Sequence, residues 1–76
     1  MDTEIFSEQL QVERKLFTFG LRENPRGRFL KITEDVGGRR DAIIIPSPGL
    51  TDIRDLLSRV IEADEGTPLS EMEETD

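Results

Sequence analysis

The sequence has 76 residues, enough for one domain, and a fold of this size buries only about 60% of the surface that its unfolded chain exposes. It contains no cysteine and no histidine, which excludes disulfides, thiolate metal sites and the residues that most often ligate zinc or act as a general base. Its net charge of −7 is the opposite of the basic surface that nucleic-acid binding usually requires. We expect no enzyme and no cofactor, and we expect a second copy to complete so small a core.

The charge is unevenly distributed along the chain. Residues 1–13 contain four acidic and no basic side chains, and residues 62–76 contain seven acidic and no basic ones. All ten basic side chains therefore lie between residues 14 and 61, together with only six acidic ones, which gives this segment a net charge of +4. A basic segment of this kind is compatible with a polyanionic partner despite the acidic total.

The expected location is the cytoplasm, with association to the nucleoid as an option. No stretch approaches the roughly 20 apolar residues that span a bilayer. The first four residues include two acidic and no basic side chains, whereas a signal peptide would begin with basic ones. We expect no membrane partner.

Residues 5–12 and 16–23 are the first two predicted strands. Neither segment has a helical stripe. The first segment alternates in part between apolar and polar residues, and the second alternates over residues 17–22. The apolar side chains that share one face are Phe6, Leu10 and Val12 in the first strand and Phe17, Phe19 and Leu21 in the second.

Two predicted turns separate the later strands. Residues 24–27 place proline where its fixed φ fits a turn and glycine where a left-handed residue is needed. Residues 28–33 continue as the third strand. A Gly37–Gly38 turn leads to a fourth strand over residues 42–45, whose apolar run predicts a strand that is central in the sheet or covered on both sides.

Residues 46–49 end the fourth strand and open a helix, with Ser47 or Thr51 as the candidate N-cap. The apolar residues that follow form one stripe at 3.6 residues per turn, which we predict to be a dimer interface. The acidic stretch 66–76 has no periodicity, so we predict a folded domain over residues 1–65 and a disordered tail. The helix stripe consists of Leu50, Ile53, Leu56, Leu57, Val60 and Ile61.

The predicted fold is therefore α+β, a four-stranded antiparallel sheet followed by one α-helix. One helix covers only one face of such a sheet. Because Leu30 and Ile32 occupy the face that the helix should cover, Phe29 and Lys31 must point to the opposite face. An exposed aromatic ring beside a cation suggests that a partner binds there.

The ten residues from 22 to 31 gather four cations, an amide and an aromatic ring around a tight turn. Cations bind phosphate oxygens, an amide can hydrogen-bond a base, and a ring can stack on an unpaired base for about 1–3 kcal/mol. The alternative is that charged residues crowd this hairpin only because hairpins face water. The candidate binding residues here are Arg22, Asn24, Arg26, Arg28, Phe29 and Lys31.

The same stretch resembles the hairpin of a repeat of the PUR (purine-rich-element-binding) family. The match from Arg22 to Ile32 reads as a basic residue, any residue, Asn, any residue, then Arg-Gly-Arg-Phe-Leu-Lys-Ile. A less specific likeness extends from about Glu4 to Ala63, and Ile53-Arg54-Asp55 is similar to the family's Phe-Arg-Asp helix. The chain looks like a single-repeat, bacterial-type member.

The resemblance implies a β-β-β-β-α unit that intertwines with a second copy through its helix. It also implies that the homodimer binds single-stranded DNA or RNA, often purine-rich, and acts in transcription or RNA fate. The implied contact residues are Arg22, Asn24 and Arg26, with Phe29 stacking on a base and Lys15, beside Arg14, contacting the strand from the first turn.

Other interpretations stay open at this stage. The basic hairpin could dock an acidic partner, such as the tail of another copy, which would make the chain an interaction or oligomerisation module. A monomer would expose part of the helix stripe. An enzyme is the least supported class, because Asp52 and Asp55 lie on a water-facing side of the helix and no nucleophile has an activating base. We expect no small-molecule substrate.

Overall fold

The computed structural model describes residues 2–68, which form one antiparallel sheet and one long helix. The strand order across the sheet is β1-β2-β3-β4. This confirms the predicted α+β fold, whereas most of the predicted disordered tail, residues 69–76, lies outside the described residues. No helix in the described part is long and apolar enough to cross a membrane. The elements are β1 (Thr3–Val12), β2 (Lys15–Asn24), β3 (Gly27–Val36), β4 (Arg39–Pro46), a 3-10 helix (Ser47–Gly49) and α1 (Leu50–Glu65).

The turns predicted between β2 and β3 and between β3 and β4 are both confirmed. In the first, Asn24 Oδ1 accepts a hydrogen bond from the backbone N–H of Arg26 at 2.9 Å. Gly27 follows with a φ of 133°, which L side chains rarely adopt. In the second, Gly37 and Gly38 have φ values of 59° and 91°, and tight hairpins favour such positive values.

Side chains of the four strands divide between two faces with a period of two. The register places Phe19 opposite Ile32 and Leu21 opposite Leu30, so apolar residues of neighbouring strands align. The shared faces predicted for the first three strands are therefore confirmed. The apolar face consists of Phe6, Leu10, Val12, Phe17, Phe19, Leu21, Leu30, Ile32, Ile43 and Ile45.

Helix α1 lies over the apolar face without closing onto it. A cleft of about 390 Å³ separates the two, and the backbone of α1 hardly approaches the strands. No hydrophobic side chain among residues 2–68 is buried. The radius of gyration is 15.3 Å, against roughly 11 Å for a compact chain of this length. The single chain thus carries an incomplete hydrophobic core.

Two local predictions are wrong. β4 is an edge strand and is not covered on both sides within the described chain, so Ile43 and Ile44 are 59% and 56% exposed. Neither Ser47 nor Thr51 is the N-cap of α1, because the 3-10 helix intervenes and Gly49 takes that position without a side-chain hydrogen bond.

Candidate nucleic-acid interface

The face of the sheet turned away from α1 carries Phe29 and Lys31, as predicted. Phe29 lies opposite Arg22 on β2 and Pro46 on β4, and Lys31 lies opposite Ile44. The Phe29 side chain is half-buried and does not line the cleft beneath α1. This surface, called the open face below, has as its central members Thr18, Gly20, Arg22, Phe29, Lys31, Thr33 and Ile44.

Three cations of the hairpin and the open face have few carboxylate neighbours. Arg22 Nε lies 3.7 Å from Asp2 Oδ2. Among the described residues, Arg26 and Lys31 have no carboxylate oxygen within 4.0 Å. Exposed ion pairs contribute only about 0–1 kcal/mol, so even the paired Arg22 remains available to a phosphate.

A β-bulge explains why an acidic residue lies beside Arg22. The register of β1 against β2 shifts between Glu4 and Phe6, which leaves Ile5 as an extra residue. The extra residue places Glu4 directly opposite Arg22, on the open face. Asp2, two residues earlier, therefore approaches the same guanidinium. Without the bulge, the side chains of Asp2 and Glu4 would both point to the apolar face.

Asn24 has a structural role that the sequence analysis did not identify. Its Oδ1 accepts the Arg26 N–H and so shapes the turn. Its Nδ2 group donates no hydrogen bond within residues 2–68, which leaves two N–H donors for a ligand. Asn24 is thus able to hold the turn and to contact a ligand at the same time.

Two of the candidate cations, Lys15 and Arg28, occupy strand positions whose side chains point to the apolar face and not to the open face. Lys15 lies at the opposite end of β2 from the hairpin, and its Nζ is 3.0 Å from Glu34 Oε2. Arg28 Nε lies 3.0 Å from Glu23 Oε1, although Arg28 still borders the hairpin end of the open face. The contact expected of Lys15 stays a prediction, independent of the hairpin. The candidates that the structure brings together are Arg22, Asn24, Arg26, Phe29 and Lys31, with Arg28 at their edge.

A shallow depression of about 500 Å³ lies between the hairpin and the end of β4. Two of its apolar residues, Ile44 and Pro46, were not selected from the sequence. The position of Ile44 could have been predicted from the alternation of side chains along β4. Because Ile43 and Ile45 belong to the apolar face, Ile44 must lie on the open face. Besides Gly27, the depression is lined by Asn24, Arg26, Arg28, Phe29, Ile44 and Pro46.

The residues predicted to form a dimer interface are accessible in the single chain. Leu56, Leu57, Val60 and Ile61 are 52–54% exposed. Leu56 and Val60 do not line the cleft between α1 and its own sheet, so they form a separate apolar edge of the helix. The helix-stripe residues that do line this cleft are Leu50, Ile53, Leu57 and Ile61.

Comparison with known proteins identifies a family for the whole chain. A family model described as "PurA ssDNA and RNA-binding protein" matches residues 1–76. The Arabidopsis thaliana protein "Transcription factor Pur-alpha 1" is 48% identical over 64 residues, which are 84% of this chain and 22% of that protein. The chain therefore spans about a fifth of the length of this relative.

Proposed function

The chain belongs to the PurA family of single-stranded DNA- and RNA-binding proteins, and we propose that it binds purine-rich single strands through its open face. On this proposal it acts as a homodimer and regulates transcription or RNA fate without catalysis. The observation that carries the proposal is the position of Phe29, which lies beside two cations on the sheet face that α1 does not cover.

The cations of the hairpin would bind the sugar-phosphate backbone. Arg22 and Lys31 project from neighbouring strands of the open face, and Arg26 lies at the tip of the turn. They therefore lie along the axis of the β2–β3 hairpin, from the middle of the open face to its edge, as a phosphate backbone running along this hairpin requires. Because phosphates carry no sequence information, these contacts set the position and the salt dependence of binding.

Phe29 and Asn24 would contact the bases. Phe29 presents an aromatic ring on which an unpaired base can stack, and the Asn24 N–H donors, which have no acceptor among residues 2–68, can reach an acceptor atom on a base edge. Bases in a duplex are stacked on each other and shield their faces from such a ring. The proposed ligand is therefore a single strand or a locally opened duplex.

The homodimer would complete the core of each chain. Apolar residues on the sheet and on α1 remain exposed, and a second copy could cover them without touching the open face. The apolar face and the open face lie on opposite sides of one sheet, so dimerisation and strand binding do not compete. Exposed residues available for burial are Phe6, Leu10, Val12, Ile43, Leu56, Leu57, Val60 and Ile61.

A titration of fluorescently labelled oligonucleotides tests the proposal. Purine-rich single strands, pyrimidine-rich single strands and a duplex of equal length are compared at two salt concentrations. We expect the purine-rich strand to bind tightest and the duplex weakest. Three phosphate contacts per protomer predict a slope of about −2 for log K against log salt concentration. Equal affinity for the duplex and the single strands at both salt concentrations would contradict the proposal.

A second candidate function is docking of an acidic protein partner on the hairpin. The contact of 3.7 Å between Arg22 and Asp2 favours it, because it places a carboxylate on the open face. Removal of residues 66–76 distinguishes the two functions. If strands bind the open face, loss of an acidic competitor should raise their affinity. If the tail of another copy docks there, the same truncation should weaken self-association instead.

A further inference from the structure

The depression beside the hairpin combines an apolar floor with a polar rim. Phe29 and Pro46 are direct cross-strand partners, and Ile44 lies next to them on the same face. Ile44 is 56% exposed and is therefore accessible to a ligand. These three side chains come from two adjacent strands, so their relative positions are fixed by the hydrogen bonds of the sheet.

The rim of the depression is cationic and rich in hydrogen-bond donors. Arg26 has no carboxylate neighbour within 4.0 Å among residues 2–68, and the Nδ2 group of Asn24 is free in the same part of the chain. Arg28 borders the other side. An occupant that fits must therefore be flat and apolar in its centre, with acceptor atoms and negative charge at its edge.

We propose that this depression holds one unstacked nucleobase of the bound strand, and that Ile44 and Pro46 contact this base together with Phe29. The inference rests on the proposed function and adds two binding residues to it. The volume of about 500 Å³ falls within the roughly 300–1,000 Å³ of sites that hold small organic molecules. The phosphate of the same nucleotide would lie at the rim, within reach of Arg26.

A nucleotide fits the depression better than a second copy of the chain does. A second copy needs a large apolar surface, and the apolar face and the helix stripe on the other side of the sheet supply one. The depression is small, and in a protein interface its rim residue Arg26, which has no carboxylate oxygen within 4.0 Å among residues 2–68, would have to lose water. A nucleotide supplies both a flat base and the matching charge.

Ile43 and Ile44 provide a matched pair of variants. They are neighbours in β4 with nearly equal exposure, but they belong to opposite faces. Binding of Ile44→Ala and Ile43→Ala is measured with a purine-rich single strand and with an abasic strand of the same length. The abasic strand retains every phosphate and lacks only the bases, so a difference between the two strands reports base contacts.

We expect Ile44→Ala to weaken binding of the base-containing strand roughly fivefold and to leave binding of the abasic strand unchanged, because a base in so shallow a depression covers only part of the three methylene or methyl groups that the substitution removes. Ile44→Phe, which keeps an apolar surface, should bind at least as tightly as the wild type. Ile43→Ala can act only through self-association, so any effect it has should weaken binding of both strands by the same factor.

Two results overturn the inference, and they differ from failure of the proposed function. If Ile44→Ala lost affinity equally for the base-containing and the abasic strand, Ile44 would contact the sugar-phosphate backbone or support the fold. No loss with either strand would mean that the depression is empty in the complex. By contrast, a wild-type protein that binds no single strand at all would overturn the proposed function itself.

Discussion

Arg22 on β2 and Phe29 on β3 are direct cross-strand partners on the open face. Residues paired in this way have Cβ atoms about 4.5–5.5 Å apart, so one bound strand can reach both side chains. A strand that places a base on the Phe29 ring could therefore also place one of its phosphates at the Arg22 guanidinium. The two side chains should contribute to binding through different physical terms, which can be separated.

Replacing Phe29 and Arg26 separates stacking from phosphate binding. Phe29→Ala should cost about 1–3 kcal/mol of binding free energy at every salt concentration, because stacking releases no counterions. Arg26→Ala should reduce the slope of log K against log salt by about one. Oligonucleotide titration at four salt concentrations measures both effects. The control is Arg59→Ala, which removes an exposed arginine on α1 and should leave both the affinity and the salt slope unchanged. Identical effects of Phe29→Ala and Arg26→Ala would refute the assigned roles.

Asp2 should compete with phosphate for Arg22. Asp2→Asn removes the carboxylate that lies 3.7 Å from the Arg22 guanidinium. An exposed pair contributes about 0.2–1 kcal/mol, so the affinity for a single strand should rise roughly 1.5- to fivefold at low salt, and less at high salt. The measurement is again an oligonucleotide titration.

A control must separate this local effect from the change in total charge. Asp55→Asn removes the same charge from a pair on α1, where Asp55 Oδ1 lies 3.0 Å from Arg54 Nη2. It should change the affinity much less, because Arg54 is not on the open face. If the two variants raised affinity equally, net charge would explain the result and the Asp2 contact would be irrelevant.

The orientation of Phe29 was predictable from the sequence because a strand has a period of two. Once Leu30 and Ile32 were assigned to the core side, no freedom remained for Phe29 and Lys31. The same rule places Lys15 with Phe17 on the apolar face, although sequence reasoning did not apply it there. The family resemblance pointed to Lys15 by its position in a turn, and a turn position does not specify a face.

Other features depend on information that the sequence pattern does not contain. The run from Ile43 to Ile45 lacks alternation, so it did not show that β4 lies at an edge of the sheet. The contact of Asp2 with Arg22 depends on a bulge at Ile5, and one extra residue reverses the face of every residue before it. Bulges have no strong sequence signal, and this one decides which acidic residues reach the open face.

Gly27 should be required for the stability of the hairpin. Its φ of 133° is disfavoured for any residue with a Cβ atom, so Gly27→Ala should lower the free energy of unfolding by about 1–3 kcal/mol. Gly20→Ala is the matched control, since a Cβ there would lie 3.9 Å from the Lys31 carbonyl oxygen, an ordinary contact. It should be neutral or raise stability by about 0.5–1 kcal/mol. Urea unfolding at one fixed protein concentration checks both, and equal stability of Gly27→Ala and the wild type would rule out a glycine requirement.

Val60 should be buried when two chains associate. It is 53% exposed and lies on the edge of α1 that does not line the cleft to its own sheet. Val60→Asp would bury an unpaired carboxylate in the interface, at a cost of several kcal/mol, so the dimer should dissociate at micromolar concentration. Analytical ultracentrifugation measures the change.

The neighbouring Arg59 supplies the control for this substitution. Arg59→Asp introduces the same carboxylate outside the apolar stripe of α1, and it should leave the dimer intact. Strand binding by Val60→Asp should weaken together with dimerisation and recover at high protein concentration, because the open face itself is unchanged. A wild-type chain that sediments as a monomer at high concentration, or a Val60→Asp chain that remains a dimer, would show that α1 does not form the interface.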